Sequence, residues 1–174
     1  NVTCEVTPHH FTLSEKDILS EGSNAKMSPP LRTNKDIKAI KIALNDGTID
    51  VIATDHAPHT LEDKDKNLID ASNGIVGLET ALGLALTELV HTGDLKFVDL
   101  INKMSSSPAK LLQLNKGSLV SGKDGDITLI DLDKDWIVDK NKFFSKDRNT
   151  PFHGRKLKGK AVMTIVAGKI VHKD

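Results

Sequence analysis

Apolar and polar positions along this chain change their period several times, and each change marks an element. Residues 2–7 alternate with a β-branched bias and stop at Pro8, the pattern of a strand. Ser14 then caps a short helix over 15–20, with acids in its first turn, and Gly22 ends it. Residues 23–32 have no period and contain Pro29 and Pro30, which stiffen the backbone and remove donors. A rigid, shaped loop is expected there, either a connector or a ligand holder. From Asn34, read as a cap, Ile37, Ile40, Ala43 and Leu44 recur at helical spacing as far as Asn45, and Asp46-Gly47 is the stop. The run 49–53 follows almost at once. Its nearly unbroken hydrophobicity predicts a strand buried on both faces, as in a parallel sheet.

Residues 60–72 are dense in charge, with Glu62, Asp63, Lys64, Asp65, Lys66 and Asp70, and read as a solvated mobile loop placed where it can act as a lid. A long helix is expected from Asn73 to about His91, burying Leu78, Leu82, Ala85, Leu86 and Leu89, with His91 near the carbonyl end of the dipole. Shorter helices are expected over 97–104 and 108–114, the second opened by Pro108. Beyond Lys116 the texture changes, because glycines separate β-rich runs at 126–131, 136–139, 161–166 and 169–172, with Ala167-Gly168 as a hairpin turn. A boundary is therefore expected near 115, dividing the chain into 1–115 and 116–174.

The chemistry concentrates where the strand 49–53 runs out into Thr54-Asp55-His56-Ala57-Pro58-His59. In α/β folds functional groups gather at the carboxyl ends of strands, since the strand fixes them and the loop leaves them open to solvent. Asp55 is the first residue past that edge; a helix cap or a turn is the alternative reading of the same residues. His9 and His10 also follow a strand, but neighbours on an extended segment point to opposite sides and do not chelate one ion together. Lysines plus arginines and aspartates plus glutamates number 24 each in 174 residues, so the formal net charge is zero. Nothing electrostatic recommends nucleic acid or an anionic membrane. The one cysteine, Cys4, excludes an internal disulfide, fits a reducing compartment and is expected to be buried as a small apolar residue. No apolar run reaches the roughly 18 residues of a membrane span. There is no initiator Met, and a fragment of a longer cytoplasmic protein is expected.

The run Ala53-Thr54-Asp55-His56-Ala57-Pro58-His59 resembles the segment at the eighth barrel strand of the dihydroorotases, in the cyclic amidohydrolase group. Asn24-Ala25-Lys26-Met27-Ser28-Pro29-Pro30-Leu31-Arg32, Gly74-Ile75-Val76-Gly77-Leu78-Glu79 and the tail 143–152 resemble further segments of that family. The resemblance covers essentially the whole chain but only the later half of the family's sequence. It implies an α/β fold, the carboxyl-terminal part of a TIM-like (β/α)8 barrel of the metal-dependent hydrolase type, followed by part of a small β-sandwich. It also implies reversible hydrolysis of dihydroorotate to N-carbamoyl-aspartate in pyrimidine synthesis.

Opening a cyclic amide at neutral pH needs a strong nucleophile and a proton for the departing nitrogen, which a divalent metal and an adjacent carboxylate supply. The resemblance gives Asp55 both the metal contact and the proton shuttle. It makes His59, the backbone at Asn73 and Gly74, and the position of Ser28 contacts to the substrate. The family carries Asn where Ser28 stands, and a hydroxyl offers shorter reach than an amide. The implied cofactor is zinc, one or two ions per full-length subunit. Most of its ligands are missing from this chain, whose seven histidines include no His-x-His pair, so the fragment alone is expected to be inactive. The implied assembly is a homodimer, with aspartate carbamoyltransferase as a possible associate. The other readings are a non-catalytic dihydroorotase-like subunit that organises a partner enzyme, and an allantoinase or hydantoinase.

Overall fold

The computed structural model describes residues 2–174. Strand β1 (Glu5–Val6) passes into a 3-10 turn, Pro8–Phe11, so His9 and His10 lie on a turn and not on extended chain. Their rings consequently sit side by side, with centroids 4.4 Å apart, instead of facing opposite ways. Ser14 opens the next segment as expected, through a capping box in which Asp17 Oδ2 accepts from the Ser14 N–H at 2.7 Å and its hydroxyl at 3.0 Å. A 3-10 turn leads into α1 (Ile18–Glu21). Helix α2 (Asn34–Asp46) is capped by Thr33, one residue earlier than the sequence reading placed it. Asp36 decides this: its carboxylate accepts from the Thr33 N–H at 2.9 Å and hydroxyl at 2.6 Å.

Strand β2 (Val51–Ile52) lies parallel to β1, with Glu5 opposite Val51 and Val6 opposite Ile52. Both strands are shorter than the runs 2–7 and 49–53. Their pairing nevertheless continues at either end, through Asp50 N–H to Cys4 O at 3.1 Å and Ala53 N–H to Val6 O at 3.0 Å. Cys4 is exposed and not buried, because it precedes the covered part of β1; its thiol donates to Thr48 O at 3.1 Å.

The charged stretch after β2 contains α3 (Leu61–Lys64) and is tied down by side chains. The expected helix from Asn73 starts only at α4 (Ala81–Ala85), which widens into a π turn, Leu86–Val90. Residues 74–77 are not helical because their backbone groups are committed elsewhere: Ala57 N–H donates to Ile75 O at 2.9 Å, and Val76 N–H to Asn149 O at 2.8 Å. Leu78, expected in the buried stripe, is therefore 60% exposed, while Leu86 and Leu89 are fully buried. His91 donates through Nε2 to Leu132 O at 2.9 Å. Next, α5 (Phe97–Ile101), a π turn (Asn102–Ser106) and α6 (Ser107–Leu111) form one continuous run. Pro108 has no N–H for a regular helical bond, so the turn before it widens.

The last part is an antiparallel sheet, β3 (Ile127–Ile137), β4 (Lys156–Val166) and β5 (Lys169–Lys173), in that order. Register shifts between Leu129 and Ile130 and between Asp131 and Asp135 let β3 run through residues that the sequence pattern read as a break. Ala167 at φ 49° and Gly168 at φ 75° form the β4–β5 turn. The sheet packs on the π turn that follows α4 at contact distance: a Cβ on Gly159 would lie 2.5 Å from Leu86 Cδ1. One core joins Leu13, Met27, Ile75, Val76, Leu84, Val138, Phe152 and Leu157; the other joins Val6, Phe11, Leu44, Ile52, Leu86 and Leu100. No helix among the described residues is long and apolar enough to cross a membrane.

Candidate active site

The carboxyl ends of the parallel pair β1 and β2 point the same way, so the segments that follow them, 7–10 and 53–59, lie at one edge. Asp55 sits there, exposed, with φ 49°. That left-handed conformation is uncommon for a residue with a side chain, although Asp tolerates it better than most, and such outliers gather at functional sites. The chain on either side leaves little choice. Ala53 is still bonded to β1, and His56 already forms a parallel bridge with Ile75. The turn between them falls on Thr54 and Asp55. His56 is not open to a ligand through Nδ1, which accepts the Gly77 N–H at 3.2 Å.

His59 is held twice. Its backbone N–H donates to Asn149 Oδ1 at 3.0 Å, and its ring Nε2 lies 2.7 Å from Asn73 O. A carbonyl only accepts, so Nε2 carries the hydrogen, leaving Nδ1 for a ligand: an acceptor when the ring is neutral, a donor when it is protonated. Gly74, at φ 113°, is buried against this loop. A Cβ there would lie 2.5 Å from Ala57 Cβ and 3.5 Å from His59 Nε2, so only glycine lets the two loops meet. Three of the sequence-derived positions, His59, Asn73 and Gly74, thus touch or nearly touch. Ser28 is exposed on the proline loop, whose Pro29 is joined to Ser28 by a cis peptide. That loop is fastened to the end of β1 by His10, which donates from Nε2 to Pro29 O at 3.0 Å while its Nδ1 lies 2.6 Å from the Thr7 hydroxyl. His10 is therefore a tether. His9 is 2% exposed, its Nε2 has no partner among the described residues, and burial, with His10 beside it, lowers its pKa to about 3, so it stays neutral.

Two residues that matter here were not singled out from the sequence. Asn149, 6% exposed, donates from Nδ2 to Ala57 O at 2.9 Å and Gly74 O at 3.1 Å, as well as accepting the His59 N–H. It bridges the two site loops from a segment read only as packing. Ser145 anchors that segment through bonds to the Glu79 carboxylate at 2.7 Å and 2.8 Å. Lys64, read as part of a solvated loop, is 3% exposed, with its ammonium among backbone carbonyls. Neither had a signal of its own: a lone Asn before Thr-Pro and one Lys in a charged run are ordinary surface patterns.

Among the described residues no group of three or more His, Cys, Asp or Glu can hold a metal ion. Asp55 is a hard oxygen donor at the right edge, and it fits a single ligand of a divalent centre, which ordinarily takes about three protein ligands.

The pattern of the Amidohydrolase family matches residues 3–171. A dihydroorotase of Acetivibrio thermocellus is 49% identical over 173 residues, covering 99% of this chain and 41% of that protein. One from Geobacter metallireducens is 51% identical over 172 residues, covering 99% and 40%. The chain thus spans about 40% of the length of these curated relatives. Among solved structures, the L-hydantoinase (dihydropyrimidinase) of Arthrobacter aurescens superposes with a TM-score of 0.95 at 36% identity, over 99% of this chain and 39% of that one. A D-hydantoinase (dihydropyrimidinase) from Thermus sp. gives 0.90 at 27% identity, over 99% and 39%. The chain therefore has the fold of the corresponding part of these enzymes, as the sequence reading expected.

Proposed function

Because the chain belongs to the amidohydrolase family, we propose that it is the carboxyl-terminal part of a dihydroorotase. That enzyme reversibly hydrolyses the cyclic amide of dihydroorotate to N-carbamoyl-aspartate, a step of pyrimidine synthesis. The observation that carries the reading is Asp55, exposed in a left-handed turn where a buried parallel strand ends, with His59 and the Asn73–Gly74 peptide on the adjoining loops. The higher identity to dihydroorotases than to the hydantoinase structures favours this substrate over a hydantoin.

In the proposed mechanism a bond forms between a water oxygen and the amide carbon, the ring carbon–nitrogen bond breaks, and one water proton ends on that nitrogen. Asp55 carries the proton, taking it from the attacking water and delivering it to the departing nitrogen. His59 meets the substrate through Nδ1, and the backbone at 73–74 orients it. Ser28 faces it from the proline loop. Asp55 would also be one ligand of zinc, whose part when bound is to make water nucleophilic at neutral pH. The remaining ligands lie, in this proposal, in the rest of the longer protein, so 1–174 alone is inactive. The division into a barrel part, 1–115, and a sandwich part, 116–174, belongs to the same proposal, as do a cytoplasmic location, a homodimer and association with aspartate carbamoyltransferase.

The test is the full-length protein with zinc, assayed on dihydroorotate in both directions. Asp55→Asn keeps the size of the side chain and its tolerance of positive φ, so the expected result is loss of turnover with unchanged circular dichroism and melting. Turnover that survives this substitution refutes the proton-carrier role.

A further inference from the structure

The Asn73–Gly74 peptide does not hold its place alone. The Gly74 N–H donates to Lys26 O at 3.0 Å, and Gly74 O accepts from both Lys64 Nζ at 3.0 Å and Asn149 Nδ2 at 3.1 Å. Lys64 has two more carbonyls within reach, Ser72 O at 2.9 Å and Lys26 O at 3.5 Å, so the three donors of its ammonium meet three backbone oxygens. The Lys26 ammonium continues the same row, donating to Ile69 O at 2.7 Å and Ala71 O at 2.5 Å. Lys64 is delivered to this position by a built support: Thr60 caps α3, the Ser23 hydroxyl bonds Lys64 O, and Ser72 N–H bonds Asp63 O at 3.1 Å. None of the ion pairs among the described residues includes Lys64 or Lys26. A buried cation held by dipoles alone is costly, and surface lysines do not fall into such places by default. Burial, and then the neighbouring Lys26, lower the Lys64 pKa to about 8, which still leaves it charged at neutral pH.

We propose that Lys64 is a positioning residue that, by holding the Gly74 carbonyl and the Lys26 carbonyl to which the Gly74 N–H donates, fixes the substrate-facing Asn73–Gly74 backbone, so that residues 60–72 form a strut under the site and not a lid over it. This rests on the dihydroorotase reading. A rotation of the Gly74 backbone, once its carbonyl is released, moves the preceding Asn73 O, and with it the His59 ring bonded there at 2.7 Å. Lys64 therefore reaches the substrate through two other residues and touches none of the reacting atoms.

The experiment uses full-length zinc enzyme. Lys64→Met keeps the length of the side chain and removes both charge and donors. Since hydrogen bonds from charged groups are the stronger kind, a KM for dihydroorotate raised about 10-fold to about 100-fold is expected. The kcat per bound zinc should stay near that of the wild type. A Lys64 that merely stabilises the fold would instead lower the active fraction, reducing kcat and leaving KM alone; that result overturns the proposal, as does an unchanged KM. If Lys64→Met does not fold, Lys64→Arg retains charge and donors in a planar fork that cannot meet three carbonyls at once, and a smaller rise in KM is read there. Wild-type enzyme that neither binds nor turns over dihydroorotate overturns the functional reading and this proposal with it, whereas wild-type turnover with an unaltered KM in both variants overturns the proposal alone.

Discussion

Gly74→Ala is the substitution whose outcome the structure specifies most closely. Two separate costs fall on it. The backbone at φ 113° is one that side-chain-bearing residues rarely adopt, worth about 1 to 3 kcal/mol. The added methyl would also stand 2.5 Å from Ala57 Cβ, a distance that carbon atoms do not tolerate, and relieving it by moving the 55–59 loop costs about another 1 to 3 kcal/mol. The total is roughly 2 to 6 kcal/mol. Gly47→Ala is the control. It also has a positive φ, 86°, but nothing lies within 4 Å of the added atom, so about 1 to 2 kcal/mol of conformational cost is all that remains. Urea unfolding of the full-length protein and its two variants, compared at constant m-value, measures both losses. Ala57 is bonded to Asn149 and lies two residues from His59, so the displacement also has a functional readout: kcat/KM should fall for Gly74→Ala and stay unchanged for Gly47→Ala. Equal losses of stability at the two glycines would refute the contact argument.

Asn149→Ala removes what is, among the described residues, the one bond at the His59 N–H and at Ala57 O, while Gly74 O keeps Lys64; two orphaned part-buried groups predict a loss of roughly 1 to 3 kcal/mol and a raised KM, checked by denaturation and steady-state kinetics. His9 provides a pH dependence. Its folded pKa, about 3, lies below the ordinary value of 6.5, so below pH 6.5 the unfolded chain binds a proton that the native one refuses. The stability that neutral His9 supplies is complete above about pH 6.5 and is lost as pH falls toward 3, at about 1.4 kcal/mol per pH unit. An NMR titration of His9 that shows an ordinary midpoint would contradict this. Ser28→Asn, which restores the amide that the resembled family carries, should lower KM by up to about tenfold if that position meets the substrate; an unchanged KM removes Ser28 from the site.

What could be read from the sequence was what is written locally. The apolar run 49–53 and its polar ending place Asp55 and His59 within eleven residues, and strand hydrophobicity is a short-range signal, so both the parallel strand and the polar loop at its carboxyl end were legible. The hairpin at Ala167-Gly168 was legible for the same reason. Helix starts were less so, since Thr33 caps α2 through an acid three residues on, and Asn34 is an equally good capping type until that bond is seen. The expected start at Asn73 failed because the backbone of 74–77 is used by residues 57 and 149, a competition that no period in the sequence expresses. Asn149 and Lys64 were invisible as partners of these loop backbones on the same grounds. Asn149 reaches back 92 residues to Ala57 and 75 to Gly74, and polar residues at isolated buried positions carry no pattern.

The strained turn at Asp55 follows from this competition. Up to Ala53 the chain is committed to β1; from His56 it is committed to Ile75; and the two partners lie on different segments, so the direction of the backbone has to change within two residues. A left-handed residue makes that change in one step, and the Asp55 that makes it is exposed to solvent. Glycine would make the turn without strain but would bring no carboxylate, and alanine would carry the strain with nothing in return. Asp and Asn are the side chains for which the left-handed region is least unfavourable. The conformational requirement therefore selects a short polar residue here before any chemistry is considered, and the proposed chemistry then selects between the two: only the acid can take up and release a proton. In the proposed mechanism the backbone requirement and the proton requirement meet in one residue, which is why loss of turnover in Asp55→Asn is informative when the zinc content, measured beside it, is unchanged: the substitution then meets the first requirement and fails the second.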